Sequence, residues 1–343
     1  MTAVLKKPYI KAALILLALI ILPILFNSPL NMRIIIEIGI FSIVVLGLNL
    51  LMGLAGQISM GHAGIFGISA YITGLLSSGR LPFSLPILPS MIIAIIVSTV
   101  LSYLIAIPIL KLKGHYLAMG TLSIGIIIYT VMVNIPNAGG FDGFSGIPRM
   151  WLFDENFTKN ILGINKYLNG YIIVYSILII LFWISFNLYR SKIGRAFKAI
   201  HTSEIAAASL GIDVTNYKIL VFTISGFYAS IAGVLFAHFY CGLSPSDFSV
   251  VKSITLVTMT VLGGTSSIWG ALIGTAFITF ITYILEYFQD FAGKAGVHIN
   301  LMDYNILTYG GIFLIILIFL PDGITGLKDK IKNFWSVKFA KSK

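Results

Sequence analysis

The residues able to do chemistry are few, and their placement excludes most reactions. The five histidines, His62, His115, His201, His238 and His298, fall on different segments, and with the single cysteine, Cys241, they make no set at metal-ligand spacing and no H-E-x-x-H pair. No G-x-x-x-x-G-K-[ST] loop occurs, so the chain cannot cradle a nucleoside triphosphate by that device. Ion-coupled carriers usually need carboxylates at mid-membrane depth, whereas Glu37, Glu286 and Asp290 are expected near helix ends. One cysteine cannot form an internal disulfide. The expectation is a protein with no catalytic residue, metal or cofactor of its own, whose energy source must lie in a partner.

The polar residues that stand out border glycine clusters. Gly53, Gly56, Ser59, Gly61, Gly64 and Gly67 form one break, and Gly263, Gly264, Ser267, Gly270 and Gly274 form another in the second half. Paired breaks in two halves are what transporters with internal repeats show around a substrate path. Asn49, Gln57, Ser59 and His62 lie in or beside the first break and are, with Thr121, the candidates for lining such a path. A plainer account stands beside it: small residues let helices approach closely in lipid, as Gly270-x-x-x-Gly274 would, and Ser59 or His62 would then serve packing or backbone capping.

The elements that must position these residues are membrane spans. The 343 residues are 58% hydrophobic and 10% charged, too little polar surface for a soluble globule of this size. About ten runs approach the ~20 apolar residues that cross ~30 Å of hydrocarbon. They are Ile10 to Phe26, Ile34 to Leu54, Ala63 to Ser77, Ser90 to Leu110, Tyr116 to Asn134, Tyr171 to Tyr189, Ile219 to Phe239, Ser253 to Leu262, Trp269 to Phe288 and Tyr304 to Leu320. The third and eighth are short and adjoin the glycine clusters, so they are expected to be broken or re-entrant pieces. The first run, behind Lys6, Lys7 and Lys11, contains Pro23 and lacks a small-x-small cleavage site, which predicts a retained helix. The fold class is an all-α integral membrane protein, a single permease-like domain over 1–343.

The net charge of +11 sits in short connectors rather than on one soluble face, which reads as topology and not as nucleic-acid binding. With the N-terminus inside, sixteen of the 23 Lys and Arg fall on the inner side, against only Glu204, Asp213, Asp322 and Asp329 of the 12 acidic residues. That bias predicts both termini inside. An extracytoplasmic loop then covers 135–170, with Trp151, Phe153, Phe157 and Tyr167 interleaved so that it folds on the surface. A basic cytoplasmic tail covers 322–343, and a charged cytoplasmic loop covers 190–218. Within the latter, Ser203 is a good N-cap, Glu204 suits the positive end of the helix dipole, and Gly211 suits a left-handed C′ residue. This predicts a helix of about two turns whose small face, with Ala206 and Ala207, would seat in a groove of another subunit, flanked by Arg190, Lys192, Arg195 and Lys198.

The run from Gly47 to Ala63, GLNLLMGLAGQISMGHA, resembles the signature of the LivM-type permeases of branched-chain amino-acid ABC importers. So does Ser191 to Ile200, SKIGRAFKAI, which leads into a helix similar to the "EAA" loop of ABC importers. Further matches are Lys113 to Leu122, Ala138-Gly139-Gly140 through Gly146-Ile147-Pro148, Val261 to Gly264, and Phe319 to Ile324, in family order. One departure is visible: the first position of the "EAA" pattern falls on Ile205, and the glutamate sits one residue earlier at Glu204. The resemblance implies one half of a membrane channel in the plasma (inner) membrane of a prokaryote. A homologous second permease, an extracytoplasmic binding protein and two ATPase subunits that bind the ATP would complete the importer. It assigns the ATPase coupling to Arg195, Lys198, Ser203, Glu204, Ala206, Ala207 and Gly211. Leucine, isoleucine and valine are the implied cargo; urea or short amides, a sugar, or a stand-alone channel are the alternatives.

Overall fold

The computed structural model describes residues 28–112, 114–150, 167–294, 311 and 323–325, with backbone only at 286 and 288–294. The runs expected at Ile10 to Phe26 and, apart from residue 311, at Tyr304 to Leu320 lie outside the described residues, as do 151–166 of the outer connector and most of the tail.

Helix α1, Pro29–Asn49, continues into a π-helical turn, Leu50–Leu54. It is followed by α2 (His62–Ser77), α3 (Ile87–Ile109), α4 (His115–Asn134), α5 (Leu168–Arg190), α6 (Lys192–Thr202), α7 (Glu204–Ser209), α8 (Val214–Tyr240), α9 (Val250–Gly263) and α10 (Ile268–Lys294). Strands β1, Phe144–Ser145, and β2, Gly242–Leu243, form one antiparallel pair. Among the described residues six helices are long and apolar enough to cross a membrane: Pro29–Leu54, Ile87–Ile109, His115–Asn134, Leu168–Arg190, Val214–Tyr240 and Ile268–Leu285. Helices α2 and α9, of 16 and 14 residues, reach only about 24 and 21 Å at ~1.5 Å per residue, less than the hydrocarbon thickness. These are the two runs that the sequence marks as short.

Burial sorts the helices into a centre and a rim. The apolar windows of α1 and α8 are 78% and 67% buried, whereas those of α3, α4 and α5 are 28–33% buried. Helix α8 packs chiefly on α2, α3 and α1. The faces of α3 explain how. Ser90, Ala94, Ser98, Ser102 and Ala106 recur every fourth residue and are buried, while Ile92, Ile96, Val100, Leu104 and Ile107 are exposed. Lipid tails are as apolar as leucine, so large side chains gain little by leaving them. Association comes from small residues that bring backbones together and from hydrogen bonds between helices. Accordingly Ser98 Oγ donates to Ile65 O at 3.1 Å, and a Cβ on Gly226 or Gly233 of α8 would overlap Ser102 of α3 or Ser69 and Phe66 of α2.

The connectors gather at two opposite ends. At one, Arg80 Nη1 donates to Asn137 O (3.3 Å), β1 pairs with β2, the amides of Gly146 and Ile147 donate to Cys241 O (3.2 and 3.3 Å), and the His238 ring contacts Pro148 O through Nδ1 (2.7 Å). The described part of the connector after α4 is therefore folded onto the bundle. The other end holds α6, α7, the break after α1 and the turn between α9 and α10.

Gly233→Val puts a branched side chain where not even a Cβ fits. It should cost at least the ~1–3 kcal/mol typical of an overpacked core and lower the melting temperature in detergent. Ile96→Leu, on the exposed face of α3, should leave it unchanged.

Candidate functional site: two interrupted helices and the helix pair beneath them

Helix α1 unwinds into the π-turn Leu50–Leu54, the backbone runs irregularly through residues 55–61, and α2 restarts at His62. Two glycines are required by what lies beside them. A Cβ on Gly53 would overlap the Thr265 carbonyl of the α9–α10 turn, and Gly56, at φ +66°, lies against the imidazole of His201. Each backbone group freed by the break needs a partner, because hydrocarbon supplies none. Many find one: the Gln57 amide donates to Leu51 O (3.2 Å), the Met60 amide to Thr121 Oγ1 (3.0 Å), the Ala63 amide to Ser253 Oγ (3.2 Å) and the Gly64 amide to Gly61 O (3.0 Å). Gly53 O accepts from His201 Nδ1 at 3.2 Å.

The second interruption is bound to the first. Asn49 is buried and its Nδ2 lies within 3.4 Å of the carbonyls of Gly264, Thr265 and Ser267. Around that turn α9 and α10 meet backbone to backbone, since a Cβ on Gly263, Gly270 or Gly274 would strike main-chain atoms of the other helix or the turn. Thr325 Oγ1 donates to Gly263 O at 2.9 Å, so residues 323–325 seat on the same turn. The packing account is therefore right for Gly270 and Gly274.

The helix pair α6–α7 lies under both breaks. Ser191 caps α6 through the Gly194 amide (3.1 Å), and Ser203 caps α7 through the Ala206 amide (3.3 Å). Gly211, at φ +82°, closes α7, with its own amide on Ala208 O and that of Ile212 on Ala207 O. Glu204 forms an ion pair with Lys218, a buried lysine in the first turns of α8, which ties α7 to a membrane-crossing helix. Two contacts lead upward from α6. His201 reaches Gly53 O in the first break. Lys198 Nζ stacks 4.1 Å from the centroid of Tyr189, whose hydroxyl donates to Ser266 O in the second at 2.9 Å.

The residues expected to line a path are thus placed unequally. His62 is buried with both ring nitrogens engaged, Nδ1 with Ser59 Oγ and Nε2 with Ser225 Oγ, each at 2.7 Å. Thr121 holds Met60 and donates to Ala118 O (2.9 Å). Ser59, His62, Thr121 and Asn49 therefore fasten the break. Gln57 differs: it is 4% exposed, and neither end of its amide has a partner among the described residues.

In the helix pair, Ser203 and Gly211 bound α7 as expected, Glu204 in its first turn also pairs with Lys218, and Lys198 stacks on Tyr189. Arg195 Nη1 turns back to Arg190 O at 3.3 Å. Ala206 is exposed, but Ala207 is not on the outward face: it is 1% exposed and packs inward. The outward face instead carries Ile205 and Leu210, 83% and 79% exposed. Those two residues, with His201, Ser225 and Ser253, are absent from the sequence-based candidates. The signal for Ile205 was its displacement of the expected glutamate; Ser225 and Ser253 left none, being ordinary small polar residues of spans.

A multi-pass helical membrane protein with two interrupted helices bonded to each other belongs to the transport class. Residues 31–320 match the family described as branched-chain amino acid transport system / permease component, and the chain belongs to that family of ABC-importer permeases. It is 28% identical over 302 residues to the high-affinity branched-chain amino acid transport system permease protein LivM of Salmonella typhimurium, covering 83% of this chain and 67% of that one. Against LivM of Escherichia coli it is 28% identical over 314 residues, covering 86% and 70%. The ribose import permease protein RbsC of Haemophilus influenzae is 23% identical over 310 residues, covering 86% and 92%.

An unpaired buried amide costs about 1–3 kcal/mol. Gln57→Leu should therefore leave the melting temperature unchanged or raise it, while solute uptake by the reconstituted transporter falls at least severalfold. A destabilised variant, or unchanged uptake, would show that the amide is bonded structure rather than part of the path.

Proposed function

We propose that this chain is one half of the membrane channel of an ATP-driven importer that passes branched-chain amino acids. A binding protein outside delivers them, a homologous permease forms the other half, and two ATPase subunits inside bind the ATP. Both termini are placed inside, in the plasma membrane, with about ten crossings and with α2 and α9 as the incomplete ones. This orientation is supported by the connectors: those the charge bias places outside contact one another at one end, and those it places inside do so at the other.

The observation that carries the reading is the pair α6–α7, which joins an exposed apolar tip to the backbone of an interrupted helix. Ile205 and Leu210 stand in solvent on a short helix that is capped at both ends and tied to α8 by an ion pair. Two large apolar side chains on such a support suit a groove in another subunit, and burying each is worth about 1.5–3 kcal/mol. A push on that tip reaches the first break through His201 and the second through Lys198 and Tyr189. Asn49 keeps the two breaks in register. Gln57, buried at the first break with its amide unpartnered among the described residues, is the group assigned to the passing solute once the breaks part. Similarity to a ribose permease favours a second reading, a sugar as cargo, which shares this mechanism and differs only in what the path admits.

Ile205→Asp combined with Leu210→Asp should weaken association with the ATPase subunits about a hundredfold or more, from the ~3–6 kcal/mol of apolar burial lost. Both positions are exposed, so insertion and thermal stability of the chain alone should not change. Co-purification with the ATPases and uptake of leucine against ribose in proteoliposomes test the docking and the cargo together. Unaltered association sinks the docking surface, and ribose uptake without leucine uptake sinks the amino-acid reading.

A further inference from the structure

At the end of the bundle opposite α6 and α7, a cavity of about 530 Å³ opens between the first turns of α1, the end of α8, the start of α9 and the middle of α10. Its size falls within the ~300–1,000 Å³ of small-molecule sites. Four charged side chains line it, two of each sign: Arg33 and Glu37 from α1, Asp247 from the turn before α9, and Lys252 from α9. Glu37, expected near a helix end, lies two turns inside α1, because that helix begins at Pro29 rather than at the start of the apolar run. Ionisable groups at such depth are costly and are kept where they face a partner or a water-filled cavity.

The charges are held in place by their neighbours. Tyr283 donates to Glu37 Oε2 at 2.6 Å, and the Ser244 amide donates to Asp247 Oδ2 at 3.1 Å. The two cations lie over rings, Arg33 5.1 Å from the centroid of Tyr240 and Lys252 3.8 Å from that of Phe41, an arrangement that holds a cation while leaving its other side for an anion. Independently, Thr279 of α10 lines the cavity, is 97% buried, and its hydroxyl has no hydrogen-bond partner among the described residues.

We propose that this outer cavity is a binding site for an α-amino-acid zwitterion, which takes its carboxylate on Lys252 and Arg33, its ammonium on Glu37 and Asp247, and its aliphatic side chain against Phe41 and Met259. The inference rests on the amino-acid reading above and adds a site to it. Two carboxylates oppose a simple anion and two cations oppose a simple cation, whereas a species carrying both charges meets a partner for each. A sugar carries no charge and would leave both cations and both carboxylates without a counter-charge from the ligand. The site makes the channel a second checkpoint, after the binding protein, that admits zwitterions.

The test uses the assembled transporter in proteoliposomes, without binding protein, carrying Thr255→Cys in a Cys241→Ser background. Thr255 lines the cavity and is only partly buried. Labelling by a small water-soluble thiol reagent should slow at least threefold with L-leucine present. It should not slow with leucine methyl ester, which lacks the carboxylate, with 4-methylpentanoate, which lacks the ammonium, or with ribose. Lys252→Met should abolish the protection; where that variant is poorly inserted, the analogue series on the otherwise native chain carries the test. Equal protection by the ester or the acid overturns the zwitterion site, as does the absence of protection by leucine. Leucine uptake measured in the same vesicles with binding protein separates the two claims: uptake without protection removes the site and leaves the transport reading standing, whereas vesicles that take up ribose and not leucine remove both.

Discussion

Hydrocarbon has no hydrogen-bond partner for a peptide group, so a helix interrupted inside a membrane protein must have its freed amides and carbonyls satisfied by other parts of the protein. That requirement organises this bundle. The break after α1 stands because side chains from four other helices reach into it: Thr121 from α4, Ser225 from α8, Ser253 from α9 and His201 from α6. Glycine at position 53 lets the Thr265 carbonyl approach, and Asn49 fastens the α9–α10 turn from the other side. No element of the centre can shift without exchanging some of these bonds. Small changes at one edge are then amplified into a change of the whole centre, because such a network has discrete arrangements rather than a continuum.

The same network explains why α6 and α7 are built as they are. A two-turn helix is too short to be stable alone. Here α7 is capped by Ser203, closed by Gly211 and anchored by Glu204 to Lys218, so its exposed residues act as a rigid tip and not as a loose loop. His201, one residue before the junction at Thr202, then contacts the break directly. The path from a solvent-exposed surface to the first break is two helices and one imidazole long.

Much of this was legible in the sequence, and for identifiable reasons. Spans follow from apolar length, and the two glycine clusters marked the two interruptions because backbone approach in lipid demands small residues. Ser203 and Gly211 bracketed α7 by cap chemistry alone. What failed needed three dimensions. Ala207 was expected on the outward face because all the alanines look alike in a six-residue helix, and only packing against the bundle turns that one inward. Ser59 and His62 could be read either as path-lining or as packing residues, because polarity marks a polar environment without saying whether it is water or a neighbouring helix; the bond from His62 to Ser225, 163 residues away, is visible only in three dimensions. The outer cavity was hidden for the same reason, since Arg33 and Glu37 lie in one stretch and Asp247 and Lys252 in another far along the chain, and only the fold brings them together.

The central claim is that ATP-driven movement of α6–α7 reaches the path through the bond from His201 to Gly53 O. It is tested most directly by the ratio of solute imported to ATP hydrolysed in proteoliposomes for His201→Ala and His201→Asn. Asparagine can place an N–H close to the position of Nδ1, and alanine cannot. The account predicts that His201→Ala keeps binding-protein-stimulated hydrolysis while uptake per ATP falls about tenfold or more, and that His201→Asn restores most of it. Hydrolysis and uptake falling in proportion in both variants, or a ratio unchanged by alanine, would contradict it.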